Sequence, residues 1–192
     1  LLDQNFSLDP VARYRGLVPA AAQLCLGPRY ALLGGDYAAL PYRTASSQVK
    51  RILVSFGGAD LADMSGLALA ALSAPEFDGL HVDLVAGASY PYRARLETAA
   101  ARRAETAVLG PQPTLAGLLA AADLAIGAGG GTTWERARAG VPAVVITIAN
   151  NQVPATRDLG TTGALLYAGP TETATIEELR TAVRALLADL NA

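Results

Sequence analysis

The residues best suited to chemistry in this sequence are the glycines and hydroxyl residues of the stretch GAGGGTTWE, residues 127–135. Glycines let backbone N–H groups approach an anion closely, and a helix that begins there adds the positive end of its dipole. The two threonines add hydroxyl donors and helix-capping oxygens. This pattern predicts a phosphate or diphosphate cradle; a glycine-rich turn without a ligand is the alternative. The predicted cradle residues are Gly129, Gly130, Gly131, Thr132 and Thr133.

This stretch lacks features of two common phosphate-binding motifs, which disfavours some phosphate ligands. A P-loop needs a Lys after its glycines, and none is present. A dinucleotide fingerprint would begin at Gly127 and Gly129, but its last glycine position holds Thr132. The ribose acid expected about 20 residues later is also missing, so NAD is disfavoured. Glu135 could bind the hydroxyls of a ribose beside the phosphates, or could pair with Arg138 at i,i+3.

Two other stretches have residues that could contact a ligand. The sequence SFGGAD, residues 55–60, favours a plain turn in which Asp60 caps the next helix, although its glycine pair could also admit a ligand. The sequence ANNQ, residues 149–152, has three amides that could bind sugar hydroxyls or orient a water, or could be ordinary turn residues. His81 opens a predicted strand, so we interpret it as a surface histidine far from any ligand.

The elements that must position these residues alternate along the chain from residue 51 onward. Apolar, β-branched runs predict strands over 51–56, 81–86, 106–109, 123–126, 142–148 and 164–167. Helical spacing predicts helices over 60–74, 92–103, 114–122, 132–139, 153–159 and 176–190. Alternating strands and helices predict an α/β fold, a Rossmann-like doubly wound parallel sheet. In such folds ligands bind outside the carboxyl ends of the strands, where the stretches above lie.

Composition excludes several classes of protein. Hydrophobic residues make up 52% of the 192 residues, which excludes intrinsic disorder. With 15 basic and 17 acidic residues, the chain lacks the basic excess typical of nucleic-acid binding. No window approaches 18 uninterrupted apolar residues, so we expect no integral membrane segment. One His and one Cys exclude a His/Cys zinc site, and the single Cys is typical of a reducing cytoplasm.

The first 47 residues do not follow the alternating pattern. The chain begins with Leu1 and with polar and turn residues. We therefore expect residues 1–47 to be the tail of a preceding N-terminal domain plus a linker, with a partly disordered arm as the alternative. Residues 48–192 are expected to form the Rossmann-like domain. Catalytic residues are then expected upstream of this chain.

Several stretches resemble the C-terminal domain of UDP-sugar enzymes of the GT-B fold. The specific part is DLAIGAGGGTTWERARAGVPAVVITIANNQ, residues 123–152, accompanied by ILVSFGGAD and by RYRGLVPAAAQLCLGPRYALLGGDY. The resemblance is to the UDP-sugar hydrolases of pseudaminic acid synthesis and to spore-coat polysaccharide biosynthesis proteins. A more distant resemblance is to the lipid II-forming N-acetylglucosaminyltransferase.

The resemblance implies a UDP or UDP-sugar ligand and no separate cofactor. In the family's pattern the glycine-threonine loop would hold the diphosphate, Glu135 the ribose hydroxyls, and the backbone of Leu109 the uracil. It implies a nucleotide-sugar-binding domain of a hydrolase that releases UDP from a 2,4-diacetamido-trideoxyhexose type of sugar. A glycosyltransferase donor domain and a non-catalytic nucleotide-sugar-binding module are the alternatives.

The resemblance also assigns residues around the cleft. Gly57 and Gly58 would flank the cleft, while Asn151 and Gln152 would face the sugar or the attacking water, which makes Asn151 the one candidate catalytic residue here. The family's catalytic histidine belongs to the N-terminal domain, and nothing in this chain matches it. His81 is not in that sequence context. The expected partners are therefore a UDP-sugar and the missing N-terminal domain.

Overall fold

The computed structural model describes residues 1–41, 43 and 48–190. The opening segment contains two short strands, β1 (Leu2–Asp3) and β2 (Cys25–Leu26), and one short helix, α1 (Gly35–Ala38). The two strands pair in parallel, with Leu2 opposite Cys25. The predicted boundary at residue 47 lies outside the described residues.

The main body is a parallel sheet of six strands, as the alternating pattern predicts. Its strands are short, and the four inner strands are almost entirely buried because helices cover both faces of the sheet, whereas the two edge strands are half-buried. They are β3 (Arg51–Ser55), β4 (His81–Val85), β5 (Thr106–Leu109), β6 (Leu124–Ala128), β7 (Ala143–Thr147) and β8 (Leu166–Pro170). The helices between and after them are α2 (Met64–Leu72), α3 (Arg93–Ala100), α4 (Ala116–Ala121), α5 (Thr132–Ala139), α6 (Val153–Thr161) and α7 (Ile176–Leu190).

The strand order is β5-β4-β3-β6-β7-β8, so the chain reverses its direction of winding between β3 and β6. This is the doubly wound Rossmann order, and the predicted α/β fold class is confirmed. Ser55 at the end of β3 stands opposite Gly127 of β6. A crevice opens beyond such a reversal point, because the loops after the two strands lead to opposite faces of the sheet.

The core consists of two layers, one on each face of the sheet. Successive residues of a strand point to opposite faces, so Ile52 and Val54 pack in one layer and Leu53 in the other. The first layer includes residues of α2, α3 and α7, and the second includes residues of α4, α5 and α6. Trp134 of α5 is buried in the second layer, which fixes this helix against the sheet.

The opening segment packs against the second core layer. Tyr37 of α1 is only 4% exposed, and Phe6, Leu33 and Leu40 pack around the same layer. Tyr37 falls in the stretch that sequence reasoning assigned to a connection. Its burial shows that this part of the connection is a packed element, held by contacts that local sequence does not display.

Candidate functional site

Most of the predicted ligand residues lie in the loops that follow the carboxyl ends of β3, β6 and β7. The loop after β3 contains Gly57 and Gly58, and the loop after β6 contains Gly129, Gly130 and Gly131. The turn after β7 completes this edge with the amide residues. The fold therefore brings three of the predicted stretches to neighbouring strand ends.

The loop between β6 and α5 has backbone N–H groups without an acceptor among the described residues. Thr133 donates its N–H to the carbonyl of Gly130, and Trp134 donates to Gly131, both at 3.0 Å. Within the described part of the chain, no acceptor pairs with the N–H groups of Gly130, Gly131 or Thr132. Three unpaired N–H groups at the beginning of an eight-residue helix are suited to bind an anion.

Two of the glycines in this stretch are explained by packing. A Cβ on Gly127 would collide with the carbonyl oxygen of Ser55, and one on Gly129 would collide with the hydroxyl of Thr156. Gly127 lies within β6, so its assignment to the loop was wrong: the strand continues through Ala128. A Cβ on Gly131 would meet nothing within 4 Å. The number of glycines is therefore not by itself evidence for a bound ligand. The prediction of a ligand depends instead on the unpaired N–H groups.

Sequence reasoning missed a buried arginine beneath this loop. Arg136 is 5% exposed and donates to the carbonyl of Ala128 at 2.7 Å. It also reaches the hydroxyls of Thr132 and Thr133. The signal was present in the sequence, because Arg136 is three and four residues after the two threonines and therefore shares their helix face.

Glu135 is half-buried and lies beside the hydroxyl of Tyr37. Burial raises the pKa of Tyr37, and the Glu135 carboxylate adds to this rise, while the side chain of Thr114 and the backbone of Leu115 oppose it. Arg138 donates to the carbonyls of Ala38 and Leu40, at 2.9 and 2.7 Å. Residues of the opening segment thus contact helix α5 next to Glu135 and lie beside its carboxylate.

The amide residues after β7 form one turn of 3₁₀ helix, Asn150–Gln152. The side-chain oxygen of Gln152 accepts the N–H of Ile148 at 3.0 Å. Its side-chain nitrogen would lie 3.5 Å from a Cβ on Gly130, so this amide faces the glycine loop. Asn151 is exposed on the same turn. Gln152 is therefore brought to the predicted anion cradle, and Asn151 lies one residue away from it along the chain.

The loop after β3 is tightly folded around its glycines and Asp60. Gly57 has a φ of +85°, which favours glycine, and the carbonyl of Gly58 accepts the N–H of Ser89 at 2.9 Å. Asp60 is 6% exposed and accepts the N–H groups of Met64 and Ser65, both at 2.8 Å. The predicted capping role of Asp60 is confirmed, and its carboxylate is occupied.

Leu109 and His81 lie away from the glycine loop. Leu109 ends β5 at the sheet edge, three strand spacings from β6, which is about 14 Å. Its carbonyl accepts the N–H of Ala86 at 3.0 Å. His81 begins β4 at the opposite, amino end of the sheet, within reach of Asp83 and Glu105. The structure thus does not bring His81 to the site.

Neither a metal-binding cluster nor a membrane-spanning helix is found among the described residues. They contain no group of three or more His, Cys, Asp or Glu side chains arranged to hold a metal ion. In the same part of the chain, no helix is both long and apolar enough to cross a bilayer.

The architecture is a Rossmann-like doubly wound sheet of the kind found in GT-B folds, with its topological switch point between β3 and β6. Two solved glycosyltransferases share this fold. One is the glycotransferase of kitacinnamycin, with a TM-score of 0.57 and 24% identity over 83% of this chain and 42% of that one. The other is MurG of Acinetobacter baumannii, with a TM-score of 0.57 and 24% identity over 76% of this chain and 45% of that one.

In sequence, the chain is similar to the spore coat polysaccharide biosynthesis protein SpsG of Bacillus subtilis (strain 168). The two are 27% identical over 159 residues, which cover 82% of this chain and 47% of SpsG. The chain therefore spans about half the length of this relative. No family model matches the chain.

Proposed function

We propose that this domain binds the UDP part of a nucleotide sugar, as the C-terminal domain of a UDP-sugar-processing enzyme. The observation that carries the proposal is the set of three unpaired N–H groups of Gly130, Gly131 and Thr132. They lie at the beginning of α5 and beside the switch-point crevice, where a diphosphate would gain both N–H bonds and the helix dipole. The hydroxyls of Thr132 and Thr133 would add further donors.

The nucleoside would extend from this cradle along the carboxyl edge of the sheet. Glu135, half-buried in the first turn of α5, would accept the ribose hydroxyls. Leu109, about three strand spacings away, would contact the uracil through its backbone. The spacing agrees with an extended nucleotide whose diphosphate lies on Gly129–Thr133 and whose base lies toward β5. Gly57 and Gly58 would line the intervening crevice wall.

The sugar would lie beyond the diphosphate, near Gln152 and Asn151. An amide can orient a water or a sugar hydroxyl, but it cannot act as a base at neutral pH. The Asp60 carboxylate accepts two backbone N–H groups, and His81 lies at the opposite end of the sheet, where the strands begin. We therefore propose that the catalytic base comes from an N-terminal domain, as the resemblance implies. The length of SpsG, about twice that of the matched region, supports this proposal.

Two reactions are compatible with this arrangement. Hydrolysis of a UDP-linked 2,4-diacetamido-trideoxyhexose in a reducing cytoplasm is favoured by the resemblance and by the similarity to SpsG, a polysaccharide biosynthesis protein. Glycosyl transfer is favoured by the shared fold of two glycosyltransferases. Both reactions would use the same UDP cradle and differ in the acceptor, which is water in the first and a hydroxyl compound in the second.

The test is release of UDP from UDP-sugars by this chain alone and by the chain joined to an N-terminal domain. The chain alone should release UDP at the background rate, because on this proposal the base and the other wall of the cleft come from the N-terminal domain. The joined protein should release UDP, without an added acceptor if it is a hydrolase and only with one if it is a transferase. A joined, folded protein that neither binds UDP nor processes any UDP-sugar would refute the proposal.

A further inference from the structure

Arg136 is a buried cation placed directly behind the predicted diphosphate cradle. Its side chain reaches from the second turn of α5 back toward the end of β6. One terminal nitrogen donates to the carbonyl of Ala128 at 2.7 Å and to the hydroxyl of Thr133 at 3.3 Å. The other donates to the hydroxyl of Thr132 at 3.2 Å. The guanidinium thus joins the last strand residue to the first two helix residues across the glycine loop.

This cation has no carboxylate partner in the described part of the chain, where no ion pair includes Arg136. Burial lowers its pKa to about 10, partly opposed by the neighbouring Glu135, so the guanidinium stays protonated at neutral pH. A buried charge that is not neutralised by an ion pair is costly to keep. An anion bound at the loop, whose two threonines Arg136 contacts, would compensate for this charge.

The hydrogen bonds also determine where the threonine hydroxyls can donate. Each hydroxyl has one hydrogen and two lone pairs. Because an Arg136 N–H group occupies a lone pair on the oxygens of both Thr132 and Thr133, each hydroxyl hydrogen must point away from the guanidinium. Since arginine can only donate hydrogen bonds, each of the two threonine hydroxyls is left with its own hydrogen available for a different acceptor. An anion on the loop is the acceptor that this arrangement would suit.

A second arginine, Arg103, makes hydrogen bonds that serve only to hold parts of the fold together, and it therefore offers a comparison. Arg103 donates to the carbonyls of Leu72, Phe77 and Leu80, each at 2.9 to 3.0 Å, and to the hydroxyl of Thr106. It lies near the amino end of β5, at the sheet edge opposite the crevice. Arg103 donates mainly to carbonyls at the ends of other elements, whereas Arg136 donates to one such carbonyl, that of Ala128, and to both threonine hydroxyls at the glycine loop.

We propose that Arg136 is a positioning residue for the diphosphate. It orients the hydroxyls of Thr132 and Thr133 as donors, and it supplies a fixed positive charge beneath the loop. This inference rests on the proposed UDP binding. It concerns recognition of the phosphate groups of UDP and not recognition of its nucleoside. Its consequence is that Arg136 contributes to the affinity for UDP and contributes little to the affinity for uridine, which has no phosphate.

The test is the ratio of UDP affinity to uridine affinity, measured by NMR titration of the isotope-labelled chain. In Arg136→Met, UDP affinity should fall at least tenfold while uridine affinity changes less than twofold. Arg136→Lys should give an intermediate loss, because a single ammonium cannot donate to the Ala128 carbonyl and to both hydroxyls in the same geometry. The control Arg103→Lys should keep the wild-type ratio even where it lowers thermal stability.

A second pair of variants keeps the test decisive if Arg136→Met does not fold. Thr132→Val removes one oriented hydroxyl and should lower the ratio, whereas Thr132→Ser should keep it. A folded Arg136→Lys and Thr132→Val that both retain the wild-type ratio would overturn the inference while leaving UDP binding intact. A wild-type chain that binds UDP no better than uridine would instead refute the proposed function itself.

Discussion

The hydroxyl oxygen of Tyr37 lies 3.1 Å from the backbone nitrogen of Leu115, whose N–H it accepts. The two residues are 78 positions apart, and Tyr37 is almost fully buried. The contact joins helix α1 of the opening segment to the residue that precedes helix α4. Because Glu135 lies beside the same hydroxyl, the opening segment also supports the predicted ribose-binding carboxylate.

Removal of this hydroxyl should destabilise the domain. Tyr37→Phe leaves the Leu115 N–H without its acceptor, and a buried unpaired donor costs about 1–3 kcal/mol. The free energy of unfolding, measured with urea, should fall by that amount. Tyr30→Phe, at a half-buried position in the same segment, should change it by less than about 0.5 kcal/mol. Equal stability of Tyr37→Phe and wild type would show that the opening segment is not fastened through this bond.

Two glycines of the loop should respond differently to alanine. In Gly129→Ala the new methyl would collide with the Thr156 hydroxyl and lie 3.2 Å from Thr147, so unfolding should become easier by about 1–3 kcal/mol. In Gly131→Ala the methyl enters open space at a helical φ of −55°, so stability should hold. If the diphosphate occupies that space, Gly131→Ala should weaken UDP several-fold. Thermal unfolding and calorimetry distinguish the two effects, and a Gly131→Ala chain with unchanged UDP affinity would argue against the placement of the diphosphate.

Glu135 should determine the preference for a ribose. Hydrogen bonds from a diol to a carboxylate are worth roughly 1.5–3 kcal/mol each, so Glu135→Gln should weaken UDP about tenfold or more. The matched ligand is 2′-deoxy-UDP, which lacks one of the two hydroxyls. Wild type should bind UDP more tightly than the deoxy form, and Glu135→Gln should lose most of that difference. Calorimetry on all four combinations measures it, and a preference that survives in Glu135→Gln would assign the ribose to another residue.

The strands and most helices could be predicted because their signals are local. Runs such as residues 142–148 are β-branched and apolar, which is typical of a strand buried on both faces. Helices Thr132–Ala139 and Ile176–Leu190 begin and end where predicted. Helix α2 begins later than predicted, at Met64, because Asp60 and Asp63 adopt left-handed backbone angles of φ 40° and 55° and cap it.

The parts that sequence reasoning missed depend on contacts between distant residues. Gly127 could not be distinguished from the loop glycines by sequence. A glycine is needed there because a Cβ would collide with the carbonyl of Ser55 on the neighbouring strand. The burial of Tyr37 depends on a helix that begins 79 residues later. Arg136 is the exception, because it is close in sequence to the threonines that it contacts, but its burial follows only from the packing of α5 against the sheet. The place of the glycine loop between β6 and α5 was predicted, whereas the residues that pack around it were not, and anion binding there stays a prediction.

Calorimetric titration of the wild-type chain with UDP and with NAD tests most directly whether this domain binds UDP. The three unpaired N–H groups and the absence of a complete dinucleotide fingerprint predict heat of binding with UDP and none with NAD at millimolar concentration. Binding of NAD without binding of UDP would contradict the account.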